Sequence, residues 1–170
     1  IWSKSCRHVV PTSSGSRADY QLRVGRTAMT KRVPSQVHLI AHDPDDLVVI
    51  SALVQDALVR HADMTYQSTH RRFVLVVSRF RWEAGSTARE RVRTGLHFNH
   101  VLKVQHHGVA LHKRDSVAEL LAVRLDLDAT DHVAITLEFA GGGAVRLTAE
   151  CIDAEVRDLG PSWEAPHTPD

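Results

Sequence analysis

Cysteine is nearly absent. Only Cys6 and Cys151 occur in 170 residues, which excludes a disulfide framework and any zinc centre that needs three or four thiolates. Long apolar runs are missing too: the longest, Phe73 to Val77, falls far short of the roughly 18 residues a membrane-crossing helix needs. Aromatic residues are sparse at 5%. Catalytic signatures are also lacking. There is no G-x-S-x-G turn, no H-E-x-x-H pair, and no Lys-Ser or Lys-Thr after the one glycine cluster. A soluble protein of a reducing cytoplasm, with no membrane partner, is the expectation.

What is present suits one ordinary domain, with 43% hydrophobic and 24% charged residues. The formal charge of +1 conceals an uneven distribution. Residues 1–35 carry Lys4, Arg7, Arg17, Arg23, Arg26, Lys31 and Arg32 against the single acid Asp19, whereas residues 36–170 are net acidic. The basic segment has no sustained period of 2 or 3.6, and Pro11 to Ser16 has the composition of a flexible loop. Three readings of it stay open: a cationic arm, a transit peptide, or a stretch upstream of initiation at Met29. The last is favoured because the chain opens on Ile1 and Met29 just precedes the first patterned segment. The expected organisation is a disordered tail over 1–35, a single domain over 36–163 and a short disordered tail over 164–170.

Val37 to Ala41 reads as a strand. Asp43, Pro44, Asp45 and Asp46 then supply a cap, a proline suited to the first turn and negative charge at the positive end of a helix dipole. Leu47, Ile50, Val54 and Leu58 continue as an apolar stripe, which predicts an amphipathic helix reaching Arg60 or His61. Beyond it the period becomes 2. Strands are expected at 63–67, 71–82, 92–99, 101–106 and 120–126, with the 71–82 strand central because its middle is apolar on both faces. A hairpin over 132–151 turns at Gly141 to Gly143, with Cys151 on the inward phase, and Asp158 to Trp163 ends regular structure. The predicted fold is α+β: an antiparallel curled sheet or partial barrel of about six to eight strands with one early helix packed on it.

Twelve histidines invite a metal reading, but His97 and His100, His38 and His42, and His106 and His107 have spacings that split each pair across a strand or a strand end. No metal and no cofactor is expected. Ser51 and Ser78 have no histidine nearby in sequence, Asp126 with Asp128 and Glu150 with Asp153 and Glu155 read as solvated faces, and no catalytic residue is assigned. The one surface feature that carries a hypothesis is Arg71, Arg72, Arg79, Arg81 and Trp82, continued by Arg89, Arg91 and Arg93. Arg with Trp is a pairing enriched at protein interfaces. A solvated strand face is the plain alternative, and nucleic-acid contact is disfavoured by the acidic balance of residues 36–170.

Several stretches resemble a family of small alphaproteobacterial proteins catalogued as a domain of unknown function: Leu47 to Ala57 (LVVISALVQDA), Arg71 to Glu83 (RRFVLVVSRFRWE), Phe139 to Leu147 (FAGGGAVRL), Glu150 to Ile152 and Asp158 to Trp163 (DLGPSW). The resemblance runs from about Val37 to Trp163 and does not extend to residues 1–28. It implies a bacterial cytoplasmic protein and carries over no functional residue. The expected function is therefore a non-catalytic protein-binding or adaptor module, with a protein partner or a homodimer. The alternative is a small-molecule-binding protein or enzyme with a pocket between helix and sheet, drawing on Asp56, His97 and His106.

Overall fold

A computed structural model describes residues 36–84, 89–110, 113–127 and 132–165, without the side chain of Leu127. The basic segment, the start at Met29, most of the expected C-terminal tail and Asp128 lie outside the described residues.

Ten strands form one antiparallel sheet: β1 (His38–Ala41), β2 (Ala57–Gln67), β3 (Arg72–Phe80), β4 (Glu90–Phe98), β5 (Val101–His107), β6 (Val117–Leu127), β7 (Val133–Phe139), β8 (Ala144–Ala149), β9 (Ala154–Asp158) and β10 (Trp163–Glu164). They lie in the order β1-β9-β4-β3-β2-β6-β7-β8-β5, with β10 pairing with β4. β3 is interior, as its two-sided apolar middle predicts. The sheet is open but curls. The Val101 N–H at the start of edge strand β5 donates to Arg71 O at 2.8 Å, and the Tyr66 hydroxyl donates to Val101 O at 2.9 Å. That brings one end of an edge strand against the β2–β3 turn in the middle of the sheet.

The concave side holds the core. Alternate residues point inward from each strand, among them Phe73, Leu75 and Val77 of β3, Leu96 and Phe98 of β4, and Ile135 and Leu137 of β7. Each large side chain that loses all solvent contact contributes roughly 2 kcal/mol. One helix, α1 (Pro44–Leu53), closes this side with Leu47 and Ile50, and Val54 at its C-cap is buried beside them. Asp43 Oδ1 accepts from the Asp46 N–H at 2.8 Å and Pro44 opens the first turn, so the start follows the local signals.

Three expectations need correction. The helix stops at Leu53, not near Arg60. Asp56 takes a left-handed conformation (φ 57°), a conformation in which Asp is several-fold enriched, and Ala57 to Arg60 pair with Leu120 to Val117 of β6. Leu58 falls on the helical stripe by coincidence of spacing, whereas Ala57, Val59 and His61 alternate as buried strand residues. Regular structure also continues past β8: β9 runs between β1 and β4, and β10 extends the pairing along β4, so the strands among the described residues number ten and not about six to eight. The carboxylates that suggested a solvated end occupy the outward positions of β9 or pair internally. Finally, Cys151 lies half-buried in a bend beyond the end of β8 and not on an inward strand phase.

Candidate functional site

Arg79 continues the inward phase of Phe73, Leu75 and Val77, and it is 0% exposed. A buried guanidinium is tolerated only when its donors are met. Here all five are. Nε donates to Thr94 Oγ1 (3.2 Å) and Asp158 Oδ1 (3.1 Å), Nη2 to Asp158 Oδ2 and Glu83 Oε1 (both 2.8 Å), and Nη1 to Glu83 Oε2 (3.0 Å) and Phe80 O (3.2 Å). Thr94 and Asp158 face each other across β4 and β9, and the Thr94 hydroxyl donates to Asp158 Oδ1 at 2.7 Å. The Val37 N–H donates to Asp158 Oδ2 at 2.9 Å, so the chain entering β1 is tied to the same carboxylate.

Burial alone would raise the carboxyl pKa of Asp158 and Glu83. Together, the hydrogen bonds from Arg79, Thr94 and the Val37 N–H at Asp158, and from Arg79 and a backbone N–H at Glu83, with the positive charge of Arg79 beside both and of Arg81 beside Glu83, outweigh it and hold both below the usual carboxylate value. Burial likewise opposes the charge of Arg79, yet Glu83 and Asp158 keep it more firmly protonated than usual. The cluster is a structural clamp between β3, β4 and β9.

Arg81 extends the clamp. Its Nη1 donates to Glu90 Oε2 at 2.6 Å and to Ser162 Oγ at 3.1 Å, and Ser162 Oγ donates to Glu90 Oε2 at 2.8 Å. The segment between β9 and β10 is thereby fixed at both ends, by Asp158 and by Ser162. Leu159 at its start and Trp163 just after it are held out on the convex side. Leu159 lies over β4, where a Cβ on Gly95 would meet Leu159 Cδ2 at 3.5 Å. Trp163 pairs with Arg91 and, with Leu58, Val76, Ser78, Arg93 and Val117, lines a hollow of about 230 Å³. This convex groove leaves Leu58 37%, Trp163 43% and Val117 57% exposed, and Leu159, over Gly95, is 55% exposed. Arg60, paired with Asp63 at 2.9 Å, also borders it.

The arginines singled out in the sequence do not form one exposed face. Arg79 and Arg81 are buried in the clamp, which corrects their placement on the surface. Arg71 is exposed and meets Glu150 at 2.8 Å, and Arg72 donates to Asn99 Oδ1 at 2.7 Å; both lie at the far end of β3, about 25 Å away by strand rise. Trp82 is exposed, its ring 4.7 Å from that of Phe80. Arg91 lies over the Phe80 ring, its guanidinium carbon 5.7 Å from the ring centroid, and donates to Ser78 O at 2.8 Å.

The alternative pocket residues stand on separate strands. Asp56 precedes β2 in the electrostatic neighbourhood of Arg91. His97 sits on β4 opposite Glu155, and burial and then Arg72 lower its pKa against the pull of Glu155 and Asp153. His106 lines a shallow hollow between β5 and β8 with Asp126 and Arg146. The helix–sheet contact is filled by Leu47, Ile50 and Val54. Among the described residues no group of three or more His, Cys, Asp and Glu side chains is placed to hold a metal ion. No helix among them is long and apolar enough to cross a membrane.

Trp163, Leu159, Leu58 and Val117 were not picked out by sequence reasoning. The alternation of Ala57 to His61 would have shown Leu58 as outward, but Trp163 and Leu159 depend on how the C-terminal segment is clamped. Among known proteins, residues 37–170 match a family profile described as Protein of unknown function (DUF2948). No curated protein and no solved structure matches the chain.

Proposed function

The chain belongs to the family described as Protein of unknown function (DUF2948), and from that premise we propose that it is a non-catalytic protein-binding module that docks a partner on the convex groove around Trp163. The observation that carries this reading is the grouping of Leu58, Val117 and Trp163 around one hollow on the outer face of the sheet, with Leu159 exposed farther along β4 over Gly95. Single exposed apolar side chains are ordinary, but a contiguous set edged by Arg60, Arg93 and Asp63 has the composition of an interface centre with a polar rim. Trp anchors and Arg are the residues that carry most binding energy at such centres. The clamp adds to this by fixing the anchor segment in advance, which lowers the ordering cost on association. Trp82, an exposed member of the sequence-derived set, packs at a tilt against Phe80 just past the end of β3 and extends the reading towards the β3–β4 turn. The reading places the module in the bacterial cytoplasm, in keeping with its two cysteines.

The test is co-purification of tagged wild-type chain and a Leu159→Asp, Trp163→Ser variant, with light scattering on each. Loss of a near-stoichiometric partner from the variant, with unchanged melting temperature, is expected. A wild-type dimer that the variant dissolves would make the partner a second copy. Identical partners and identical mass for both proteins would refute the groove.

A further inference from the structure

Three arginines point from the outer face of the sheet beside the groove. Arg91 and Arg93 take the outward phase of β4, about 7 Å apart along the strand, and Arg157 of β9 lies directly opposite Gly95, the next outward position. Leu159 sits over that same glycine, and its N–H donates to Arg93 O at 2.8 Å, so the leucine stands between Arg93 and Arg157. Arg93 also lines the hollow with Trp163. Cations and apolar anchors therefore share one surface.

Elsewhere the arginines are matched. Arg60, Arg71, Arg79, Arg81 and Arg124 each meet a carboxylate at 2.6–2.9 Å. Arg93 and Arg157 are exposed and meet none among the described residues. Burial lowers the pKa of half-buried Arg91, and Glu119 and Asp56 oppose this only from beyond ion-pair distance. Such a guanidinium is best matched by a carboxylate brought from outside. Two nearby outward acids are already taken, Asp63 by Arg60 at 2.9 Å and Glu155 by His38 at 2.9 Å. The surface is thus locally cationic although residues 36–170 are net acidic.

The hollow of about 230 Å³ is smaller than the roughly 300 Å³ at which small-molecule pockets begin, and it has room for one bulky apolar side chain. A nucleic acid would favour a broad basic surface, whereas here exposed Leu58, Val117 and Leu159 lie among the cations. We infer that the groove takes an acidic peptide segment of a partner protein, one bulky apolar side chain entering the hollow beside Trp163 and carboxylates on either side of it meeting Arg93 and Arg157. This rests on the partner-binding reading of the groove and adds the charge of what it binds.

Amide NMR titration of the full chain with three octapeptides tests it: acidic EDELFEDE, its uncharged counterpart QNQLFQNQ and basic KRKLFKRK. EDELFEDE at millimolar concentration should shift the amides of Arg93, Arg157 and Trp163 saturably, bind at least fivefold more tightly than QNQLFQNQ, and weaken as salt rises. Arg93→Gln with Arg157→Gln should keep the melting temperature and weaken EDELFEDE about fivefold, since exposed ion pairs are individually modest. Arg93→Glu with Arg157→Glu should turn the preference to KRKLFKRK. Equal binding of EDELFEDE and QNQLFQNQ at Trp163 would overturn the acidic class and leave the groove standing. Tighter binding of an oligothymidylate at the same amides would overturn it in favour of nucleic acid. No saturable shift with any peptide would also overturn it, and the Leu159→Asp, Trp163→Ser co-purification would then judge the groove separately.

Discussion

Arg79 and Asp158 are 79 positions apart in the chain, and their side chains meet at 2.8 Å with 0% and 2% exposure. The pair joins the last turn of β3 to the end of β9, and through the Val37 N–H it also holds the entry to β1. A contact between such distant segments is made only once the sheet has assembled. It is therefore a point where the fold's long-range order can be probed chemically.

Asp158→Asn retains the shape of the side chain but leaves Arg79 buried with one carboxylate partner in place of two. A loss of about 3 kcal/mol in urea unfolding is expected, since breaking a buried pair strands the remaining charge. Glu83→Gln should cost much less, about 1 kcal/mol, because Glu83 is partly exposed and water can take its place. Equal losses would mean that Asp158 is not the dominant partner.

Acid should weaken the fold through the same carboxyls. Asp158 and Glu83 are held below the ordinary carboxylate value in the folded protein, whereas in the unfolded chain they titrate near about 4. Between those values the unfolded state binds protons that the folded state refuses, so stability is full above the unfolded value and is lost as pH falls through the folded one. The advantage of the wild type over Asp158→Asn, measured by urea unfolding, should thus be constant at neutral pH and shrink below about pH 4.

The Ser51 hydroxyl of α1 accepts from the Val123 N–H at 2.9 Å, just past the register shift between Leu120 and Ala122 of β6. Ser51→Ala leaves that part-buried N–H without an acceptor and should cost about 1–2 kcal/mol. Hydrogen exchange should accelerate at Val123 more than at Leu137 across the ladder if the helix supplies this bond.

Gly108 has φ +66° and almost touches Gly143, whereas Gly95 has ordinary room beneath Leu159. Gly108→Ala combines left-handed strain with a clash against backbone, and a loss of about 2 kcal/mol is expected. Gly95→Ala should leave the melting temperature nearly unchanged, as its Cβ would make normal contacts at 3.5–3.7 Å. A large loss at Gly95 would show that Leu159 is packed more rigidly than its exposure indicates.

Much of this architecture is legible residue by residue. Phe73, Leu75 and Val77 mark the inner face of β3, and the same period places Arg79 inward. Treating Arg79 as a surface residue gave its charge precedence over its phase, because the acceptors that make burial possible belong to Glu83 and, far away, to Thr94 and Asp158. The end of α1 was hidden for a related reason. Leu58 fits both a helical stripe and a strand, and the choice is made by pairing with Glu119 of β6. Asp158 follows Ala154 and Val156 on the inward phase of a strand too short to announce itself among carboxylates.

The amino-acid order by itself determined the α+β class, the start of the helix, the central place of β3 and the glycine turn, because capping, alternation and turn chemistry act over a few neighbouring residues. The tertiary structure alone decided which charges are internal, where β9 and β10 join the sheet, and that Leu159 and Trp163 stand on the convex side. Each of these depends on which distant strand supplies a hydrogen-bond partner or withholds one, and strand pairing across many tens of residues leaves little trace in local composition.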